Sequence, residues 1–214
     1  MRFRDRVDAG QQLAARLASE FKGRDDVLLF ALPRGGAVLG AEVSKALGRP
    51  FDLIVTRKIG APGNDEYALG ALAETGETVW NNPAERDSYA KAKIDKIVSD
   101  ETKEAQRRIE KYRNSRPLPD MTGKTAVIVD DGIATGATMK AAVLAAKHQH
   151  AKRIIIAVPH GAKDTIAAMR ADGIEVTALV EPDWYGSVGG FYEAFGQVED
   201  EEVLQLMKKY GVRG

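Results

Sequence analysis

Short apolar runs alternate with amphipathic stretches along most of this chain, and that alternation restricts the possible folds more than any other sequence feature. Five runs are almost continuously apolar: 27–32, 53–56, 126–129, 154–158 and 176–180. Continuous runs are typical of strands covered on both faces, whereas half-exposed strands alternate apolar and polar residues. Helical patterns fill the intervals, so the sequence predicts an α/β fold, a three-layer α/β/α domain on a mainly parallel sheet.

Two segments depart from the alternation. Residues 69–73 and 78–81 flank Thr75-Gly76, a pattern that predicts a hairpin at one edge of the sheet. A polar stretch at about residues 84–114 carries apolar residues at three- and four-residue steps and predicts one long helix. The acidic cluster 199–202 is expected to begin a terminal helix.

Composition excludes several classes of function. The chain has 214 residues, enough for one domain, and 31 basic residues balance 31 acidic ones, which gives no case for a nucleic-acid partner. Without cysteine there are no disulfides, catalytic thiols or cysteine metal sites. The longest apolar run, 27–32, is far below the roughly 18 residues of a membrane span, and no apolar segment follows the basic start. We therefore expect a cytoplasmic protein that does not bind membranes.

Residues 125–138 carry the strongest chemical signal. A strand pattern ends in Asp130 and Asp131, and a loop rich in glycine and threonine then opens a helix. Gly132 and Gly136 allow a polyanion to approach main-chain N–H groups, and the helix N-terminus favours a phosphate. The hydroxyls of the loop's threonines add donors.

The two acids suggest what accompanies the phosphate. Ionised carboxylates repel phosphate but accept hydrogen bonds from a pair of sugar hydroxyls. A phosphate beside a diol describes ribose 5-phosphate. The ordinary alternative is a solvated acidic turn before a capped helix. The segment contains neither a Walker P-loop nor a dinucleotide-binding fingerprint.

The acid-pair segment resembles the phosphoribosyl-pyrophosphate-binding motif of type I phosphoribosyltransferases. The resemblance extends along essentially the whole chain through residues 3–6, 32–36 and 56–64, and is greatest for a bacterial subgroup whose substrate is generally unassigned. It implies a single phosphoribosyltransferase domain over 1–214, with a core at about 20–180 and a hood formed by 181–214 with the N-terminus. It also implies strand order 3-2-1-4-5-6, with an antiparallel edge strand near 69–73.

By this resemblance, the loop Arg34-Gly35-Gly36 binds the pyrophosphate and often contains a non-proline cis peptide. A plain strand-to-helix turn is the alternative. Arg57 and Lys58 resemble the family's basic residues on the pyrophosphate, although two basic residues after a strand are commonly only solvated. The residues that would bind the ribose 5-phosphate are Asp130, Asp131, Gly132, Ala134, Thr135, Gly136, Ala137 and Thr138.

The segment 60–67 takes the place of the family's flexible loop, and its glycine, proline and polar content is typical of a lid. Asp65 or Glu66 in this segment could deprotonate an incoming base. Lys58, Glu66 and Asp131 are thus the candidate catalytic residues. Ala134 stands where hypoxanthine–guanine enzymes have an aspartate, which disfavours a 6-oxopurine substrate.

Trp184 follows the last predicted strand in a loop rich in glycine and proline. Its ring could stack on a flat base, or it could anchor the C-terminal segment in the core.

Three functions follow from these patterns. The first is a glycosyltransferase that transfers ribose 5-phosphate from phosphoribosyl pyrophosphate to a nitrogenous base, with Mg2+ as cofactor and metal ligands that cannot be assigned. The second is a non-catalytic regulatory protein of the same fold that binds phosphoribosyl pyrophosphate. The third, a diphosphate-transferring synthetase, usually needs two such domains. Family analogy and the long helix predict a homodimer.

Overall fold

The computed structural model describes residues 2–213, apart from the side chain of Glu66. The helices and strands follow one another along the chain as α1 (Arg6–Phe21), β1 (Val27–Ala31), α2 (Gly35–Leu47), β2 (Phe51–Leu53), β3 (Thr56–Ala61), β4 (Asn64–Ala73), β5 (Thr78–Trp80), α3 (Pro83–Asp87), α4 (Lys91–Arg113), β6 (Thr125–Val129), α5 (Ala137–His148), β7 (Arg153–His160), α6 (Lys163–Ala171), β8 (Glu175–Val180) and α7 (Asp200–Tyr210). A short 3-10 turn lies at Val188–Phe191.

The main sheet has five parallel strands in the order β2-β1-β6-β7-β8. Its alternate residues face two separate cores. Leu29 and Val127 pack with α1, α2 and α7 on one face, whereas Phe30 and Ile128 pack with α5 and α6 on the other. All residues of β6 are buried, as expected for a strand covered on both faces. The predicted three-layer α/β/α architecture is confirmed.

The antiparallel strands form a second sheet, in the order β3-β4-β5. The hairpin predicted around Thr75-Gly76 is confirmed as the β4–β5 pair. The prediction that this hairpin lies at the edge of the main sheet is wrong. The strand β2 has only three residues, and the chain then turns at once into β3, so β4 pairs with β3 and not with a strand of the main sheet. The N–H of Glu74 donates to the carbonyl of Val55 (3.1 Å), which joins the two sheets.

A buried ion pair also joins the two sheets. Arg113, at the end of α4, pairs with Glu74 after β4, and their side chains are 1% and 4% exposed. Arg113 also donates to the carbonyl of Leu53 (2.8 Å), and Glu74 accepts the N–H of Val55 (3.0 Å). Burial raises the pKa of Glu74 although Arg113 opposes that rise. The contact fixes the second sheet and α4 against β2.

The single helix expected at about 84–114 is two helices. The side chain of Asn82 caps the start of α3 by accepting hydrogen bonds from the first N–H groups of that helix. The helix ends at Ser88, whose N–H and hydroxyl both donate to the carbonyl of Glu85. A serine that bonds its own backbone competes with helix continuation. The expected apolar stripe lies on α4, where Ile94 packs against Leu69 of β4. None of the helices within residues 2–213 is long and apolar enough to cross a membrane.

Candidate functional site

Strands β1 and β6 are neighbours at the centre of the main sheet, and the chain leaves them in opposite directions. From β1 the chain continues to β2 on one side, and from β6 it continues to β7 on the other. In open α/β sheets such a switch point leaves a crevice at the carboxyl ends of the strands, where ligands bind. The loops 32–36 and 130–136 both begin in this crevice, and the N–H of Leu32 donates to the carbonyl of Val129 (3.0 Å).

A cavity of about 230 Å³ opens above the second of these loops. All eight residues assigned to ribose 5-phosphate line it, together with Lys58 and with Val188 of the 3-10 turn. The assigned residues that line it are Asp130, Asp131, Gly132, Ala134, Thr135, Gly136, Ala137 and Thr138. The structure thus brings the acid pair, the threonines and Lys58 together.

The N-terminus of α5 lies at this cavity. Gly136 stands just before the helix with φ +77°, a left-handed conformation that residues with a Cβ rarely adopt. No described side chain caps the first turn. The first N–H groups of a helix have no partner within the helix and carry its positive dipole end, so this turn is well suited to a phosphate.

The loop 130–136, which we call the candidate phosphate loop, is held by contacts with the end of β7 and with α6. The N–H of Ile133 donates to the carbonyl of His160 (3.1 Å), and the carbonyl of Ile133 accepts the N–H of Ala162 (2.8 Å). The hydroxyl of Thr165 donates to the carbonyl of Ala134 (2.8 Å). These bonds fix the backbone of the loop before any ligand arrives.

The acid pair is partly buried, and the two carboxylates influence each other's charge. Oδ1 of Asp130 accepts the N–H of Asp131 (2.8 Å), and Oδ2 of Asp131 accepts Nε of Arg6 (2.7 Å). Burial and the charge of Asp131 raise the pKa of Asp130 well above its usual value. Burial also raises the pKa of Asp131, and Arg6 opposes that rise. Arg6 therefore offsets the charge of Asp131, and Asp130 ionises less readily than an exposed aspartate.

The glycine loop after β1 packs directly on the acid pair. The Pro33–Arg34 peptide is cis, the feature that the resemblance implied. A Cβ on Gly35 would overlap Oδ2 of Asp131, and a Cβ on Gly36 would lie 2.9 Å from Oδ1 of Asp130. Only glycine allows this approach, so Gly35 and Gly36 let the loop after β1 lie directly against the acid pair.

The three basic residues assigned to the pyrophosphate occupy different places. Lys58 lines the 230 Å³ cavity, but Arg57, the preceding residue of β3, pairs with Glu101 of α4 (2.6 Å). Successive side chains of a strand point to opposite faces, so in this structure Arg57 and Lys58 lie on opposite faces of β3. Arg34 lies 3.4 Å from Glu199 and 3.9 Å from Asp200 at the start of α7.

Trp184 is 82% exposed, which excludes the reading that it anchors the C-terminal segment in the core. It lines a neighbouring cavity of about 460 Å³ with Arg2 and Phe191, and it does not line the cavity above the candidate phosphate loop. The segment 60–67 is the tip of the β3–β4 hairpin, in which Ala61 pairs with Asn64. Glu66, the candidate base in that segment, has a side chain outside the described part of the chain.

Two residues at the site, Arg6 and Tyr192, were not singled out from the sequence, whereas His160 was placed near the crevice by its position after a predicted strand. Arg6 contacts Asp131, and the hydroxyl of Tyr192 donates to the carbonyl of Asp131 (2.6 Å). His160, at the end of β7, is fully buried, with Nδ1 2.9 Å from the hydroxyl of Tyr185. Burial lowers the pKa of His160 to about 4, so its ring is neutral at pH 7. The resemblance of residues 3–6 was the available signal for Arg6.

The terminal segments that carry these residues pair with each other. Phe3 donates to the carbonyl of Phe191 (2.8 Å) and accepts the N–H of Glu193 (2.9 Å). The ring of His160 stacks on the rings of Phe3 and Phe191, with distances between ring centres of 6.0 Å and 4.6 Å. Residues 2–6 and 181–196 are the part of the expected hood that covers one side of the acid pair. From here on, the hood means these two segments.

The crevice, the uncapped helix N-terminus and the paired acids define an α/β protein with a candidate site for a phosphorylated ligand at a topological switch point. A model of the phosphoribosyl transferase domain matches residues 4–195, so the chain belongs to that family, and the expected resemblance is confirmed.

Named relatives agree with that family. Two Mycobacterium tuberculosis proteins, from strains CDC 1551 / Oshkosh and H37Rv, are each named "Putative phosphoribosyl transferase" and are 42% identical to this chain over 208 residues. The match covers 97% of this chain and 46% of each relative, so the chain spans about half their length. The crystal structure of TT1426 from Thermus thermophilus is 37% identical, with a TM-score of 0.79 over 99% of this chain and 100% of that one.

Proposed function

We propose that this protein transfers ribose 5-phosphate from phosphoribosyl pyrophosphate to a nitrogenous base and releases pyrophosphate. One observation carries the proposal: the acid pair and the uncapped N-terminus of α5 line the same 230 Å³ cavity. A helix N-terminus binds a phosphate and carboxylates accept sugar hydroxyls, so the cavity is complementary to both ends of a ribose 5-phosphate.

The proposed binding roles follow the placement of the side chains. The 5-phosphate lies on the first turn of α5 with the hydroxyls of Thr135 and Thr138, and the ribose hydroxyls bond Asp130 and Asp131. The pyrophosphate lies between Gly35-Gly36 and Lys58. Arg34 and Arg57 reach it only after leaving their acidic partners, Glu199 and Glu101.

The proposed chemistry is a substitution at the anomeric carbon. A nitrogen lone pair of the base forms the new C–N bond as the C–O bond to pyrophosphate breaks, and the leaving oxygens keep the electron pair. The transition state is oxocarbenium-like, so Asp131 stabilises positive charge on the sugar and Lys58 stabilises the departing pyrophosphate. Glu66 takes the proton that the base nitrogen loses. Val188 lines the cavity on the hood side and gives the base an apolar wall.

We further propose Mg2+ as the cofactor. Within the described residues, no group of three or more acidic or histidine side chains could hold a metal ion. We place the ion on the diphosphate oxygens of the substrate, since Mg2+ is commonly held by substrate phosphates with few protein ligands. When bound, it would neutralise charge on the leaving group.

A non-catalytic protein that binds phosphoribosyl pyrophosphate is the second candidate function. One observation favours it: Arg34 and Arg57, both assigned to the pyrophosphate, are held in ion pairs with Glu199 and Glu101. A binding protein needs the candidate phosphate loop and the acid pair but has no need to stabilise a leaving group.

Calorimetry with phosphoribosyl pyrophosphate and Mg2+ tests the binding. We expect Asp130→Asn with Asp131→Asn to abolish binding and leave the circular dichroism spectrum unchanged. The matched control removes two exposed carboxylates of α4, Asp95→Asn with Asp100→Asn, and should bind like the wild type. Unchanged affinity in the acid-pair variant would refute the ribose assignment.

Turnover separates the two candidate functions. The protein is incubated with phosphoribosyl pyrophosphate, Mg2+ and a panel of purines, pyrimidines and other amines, and pyrophosphate release is followed. Release that requires one base supports the transferase. Tight binding without release from any base supports the non-catalytic protein.

A further inference from the structure

Arg6, the first residue of α1, reaches into the phosphoribosyl site from the hood. Its Nε donates to Oδ2 of Asp131 (2.7 Å), and the two side chains are only 12% and 14% exposed. Its Nη1 donates to the carbonyl of Gly196 (2.7 Å), and its guanidinium lies 3.8 Å from the centre of the Phe195 ring. One side chain thus joins the first residues, the end of the hood and the acid pair.

The orientation of Asp131 depends on this contact. Its Oδ2 lies where a Cβ of residue 35 would be, and Nε of Arg6 is 3.0 Å from that same point. The carboxylate is therefore held between the guanidinium and the pyrophosphate loop. Asp130, by contrast, bonds the N–H of Asp131. Two adjacent, partly buried carboxylates repel each other when both are ionised, and a cation on one of them decides which one keeps its charge.

We propose that Arg6 is a positioning residue of the phosphoribosyl site, which holds Asp131 ionised and turned toward the pyrophosphate loop. This inference rests on the proposed function of the acid pair as the acceptor of the ribose hydroxyls. Arg6 acts on the ligand through Asp131 and does not itself touch it. Removing the guanidinium leaves Asp131 beside Asp130 without a cation, so the pair gains a proton at higher pH and accepts hydroxyls less well.

The other charged or titratable groups that face the pair do not obscure this effect. They come from β3, β7 and the hood, and they are Lys58, His160, Tyr185 and Tyr192. Burial lowers the pKa of His160 to about 4, and burial raises the pKa of each tyrosine above its usual value. Between pH 5 and 9 the histidine and the tyrosines stay neutral, so the carboxyl titration without ligand reports the acid pair. The phosphate of ribose 5-phosphate itself ionises at about pH 6, and this contribution to binding is the same for every variant.

Two measurements test the role of Arg6. The first is the dissociation constant of ribose 5-phosphate from pH 5 to 9 for wild type, Arg6→Gln, Arg6→Lys and Arg4→Gln. Arg4→Gln is the matched control, since Arg4 is an exposed arginine two residues away that pairs with Asp8. The second is the carboxyl carbon-13 resonance that Asp131→Asn removes, followed over the same range without ligand.

In Arg6→Gln, we expect the affinity for ribose 5-phosphate to begin to fall at a pH about 1 unit or more higher than in the wild type, and the carboxyl titration to shift by the same amount. Binding should then be about tenfold weaker at the lower pH. Arg6→Lys should shift both in the same direction but less, because it keeps the charge and loses the fork. Arg4→Gln should shift neither. If Arg6→Gln does not fold, Arg6→Lys against Arg4→Gln decides.

A lower melting temperature in Arg6→Gln with an unshifted carboxyl titration would overturn the proposal and leave Arg6 as a structural contact of the hood. Failure of the wild type to bind either ribose 5-phosphate or phosphoribosyl pyrophosphate refutes the proposed function instead. The carboxyl titration alone then decides whether Arg6 controls the charge of the acid pair.

Discussion

Removing the guanidinium of Arg113 should destabilise the protein far more than removing an exposed cation from the same helix. Arg113→Met leaves Glu74 buried without its cation, although Glu74 still accepts the N–H of Val55. Breaking a buried ion pair by removing one partner costs about 3–5 kcal/mol. The control, Lys96→Met, removes the exposed i,i+4 partner of Asp100 on α4 and should cost about 0.5 kcal/mol or less.

The effect of Arg113→Met should depend on pH, with a sign that follows from Glu74. Burial already raises the pKa of Glu74, and loss of the cation raises it further. Between the unfolded and folded pKa values the native state binds a proton that the unfolded chain lacks. Stability therefore rises as pH falls, by at most about 1.4 kcal/mol per pH unit for one group. We expect the deficit relative to wild type to be smaller at pH 5 than at pH 7.

Urea unfolding at both pH values measures these free energies. Glu74→Gln added to Arg113→Met removes the stranded charge and keeps an acceptor for Val55, so the double variant should recover about 2 kcal/mol at pH 7. A deficit for Arg113→Met below about 1 kcal/mol, or one that is equal at pH 5 and pH 7, would refute the view that a stranded carboxylate dominates the loss.

Lys58→Ala should weaken the binding of pyrophosphate about 10- to 100-fold, because one charge-assisted bond to the diphosphate is lost, and should weaken the binding of ribose 5-phosphate much less. Calorimetry measures both affinities, and equal losses would mean that Lys58 supplies only general positive charge. Burial lowers the pKa of His160 to about 4, so the unfolded chain binds the extra proton between pH 4 and 6.5 and stability falls as pH falls through that range. His160→Phe should remove about 2 kcal/mol of the loss between pH 7 and pH 5 in urea unfolding, and an unchanged pH dependence would contradict it. In a Trp80→Phe background, the fluorescence of Trp184 should respond to a base only when a phosphoribosyl ligand is bound, and Trp184→Ala should leave the melting temperature within about 2 °C because the side chain is exposed. A fall of several degrees would contradict the prediction that the exposed side chain of Trp184 adds little to stability.

The layers of the fold could be predicted from the sequence because each central strand is a continuous apolar run. The run at β6 is buried throughout and leads straight into Asp130, so the strand and the start of the candidate phosphate loop were visible together. The hairpin around Thr75-Gly76 was predictable for a similar reason, since its turn signal is local. Its placement was not, because the pairing partner of β4 depends on how early β2 ends.

The residues of the site that escaped prediction are defined by distant contacts. Arg6 and Asp131 are separated by 125 positions, and Tyr192 follows Asp131 by 61. No periodicity connects residues so far apart. The opposite orientations of Arg57 and Lys58 follow from the strand repeat of two, but only once the segment is known to lie inside β3 and not after a strand.

The hood has a consequence for the order in which this protein assembles. Arg6 bonds a residue 190 positions further along the chain, and Phe3 pairs with Phe191 and Glu193. Contacts of such large separation form slowly, because the intervening chain must first be ordered. During synthesis Asp131 emerges 61 positions before Tyr192, so at first Arg6 can reach Asp131 but lacks the Gly196 carbonyl and the Phe195 ring that also hold it. The contacts that orient Arg6 on Asp131 are therefore completed among the last events of folding.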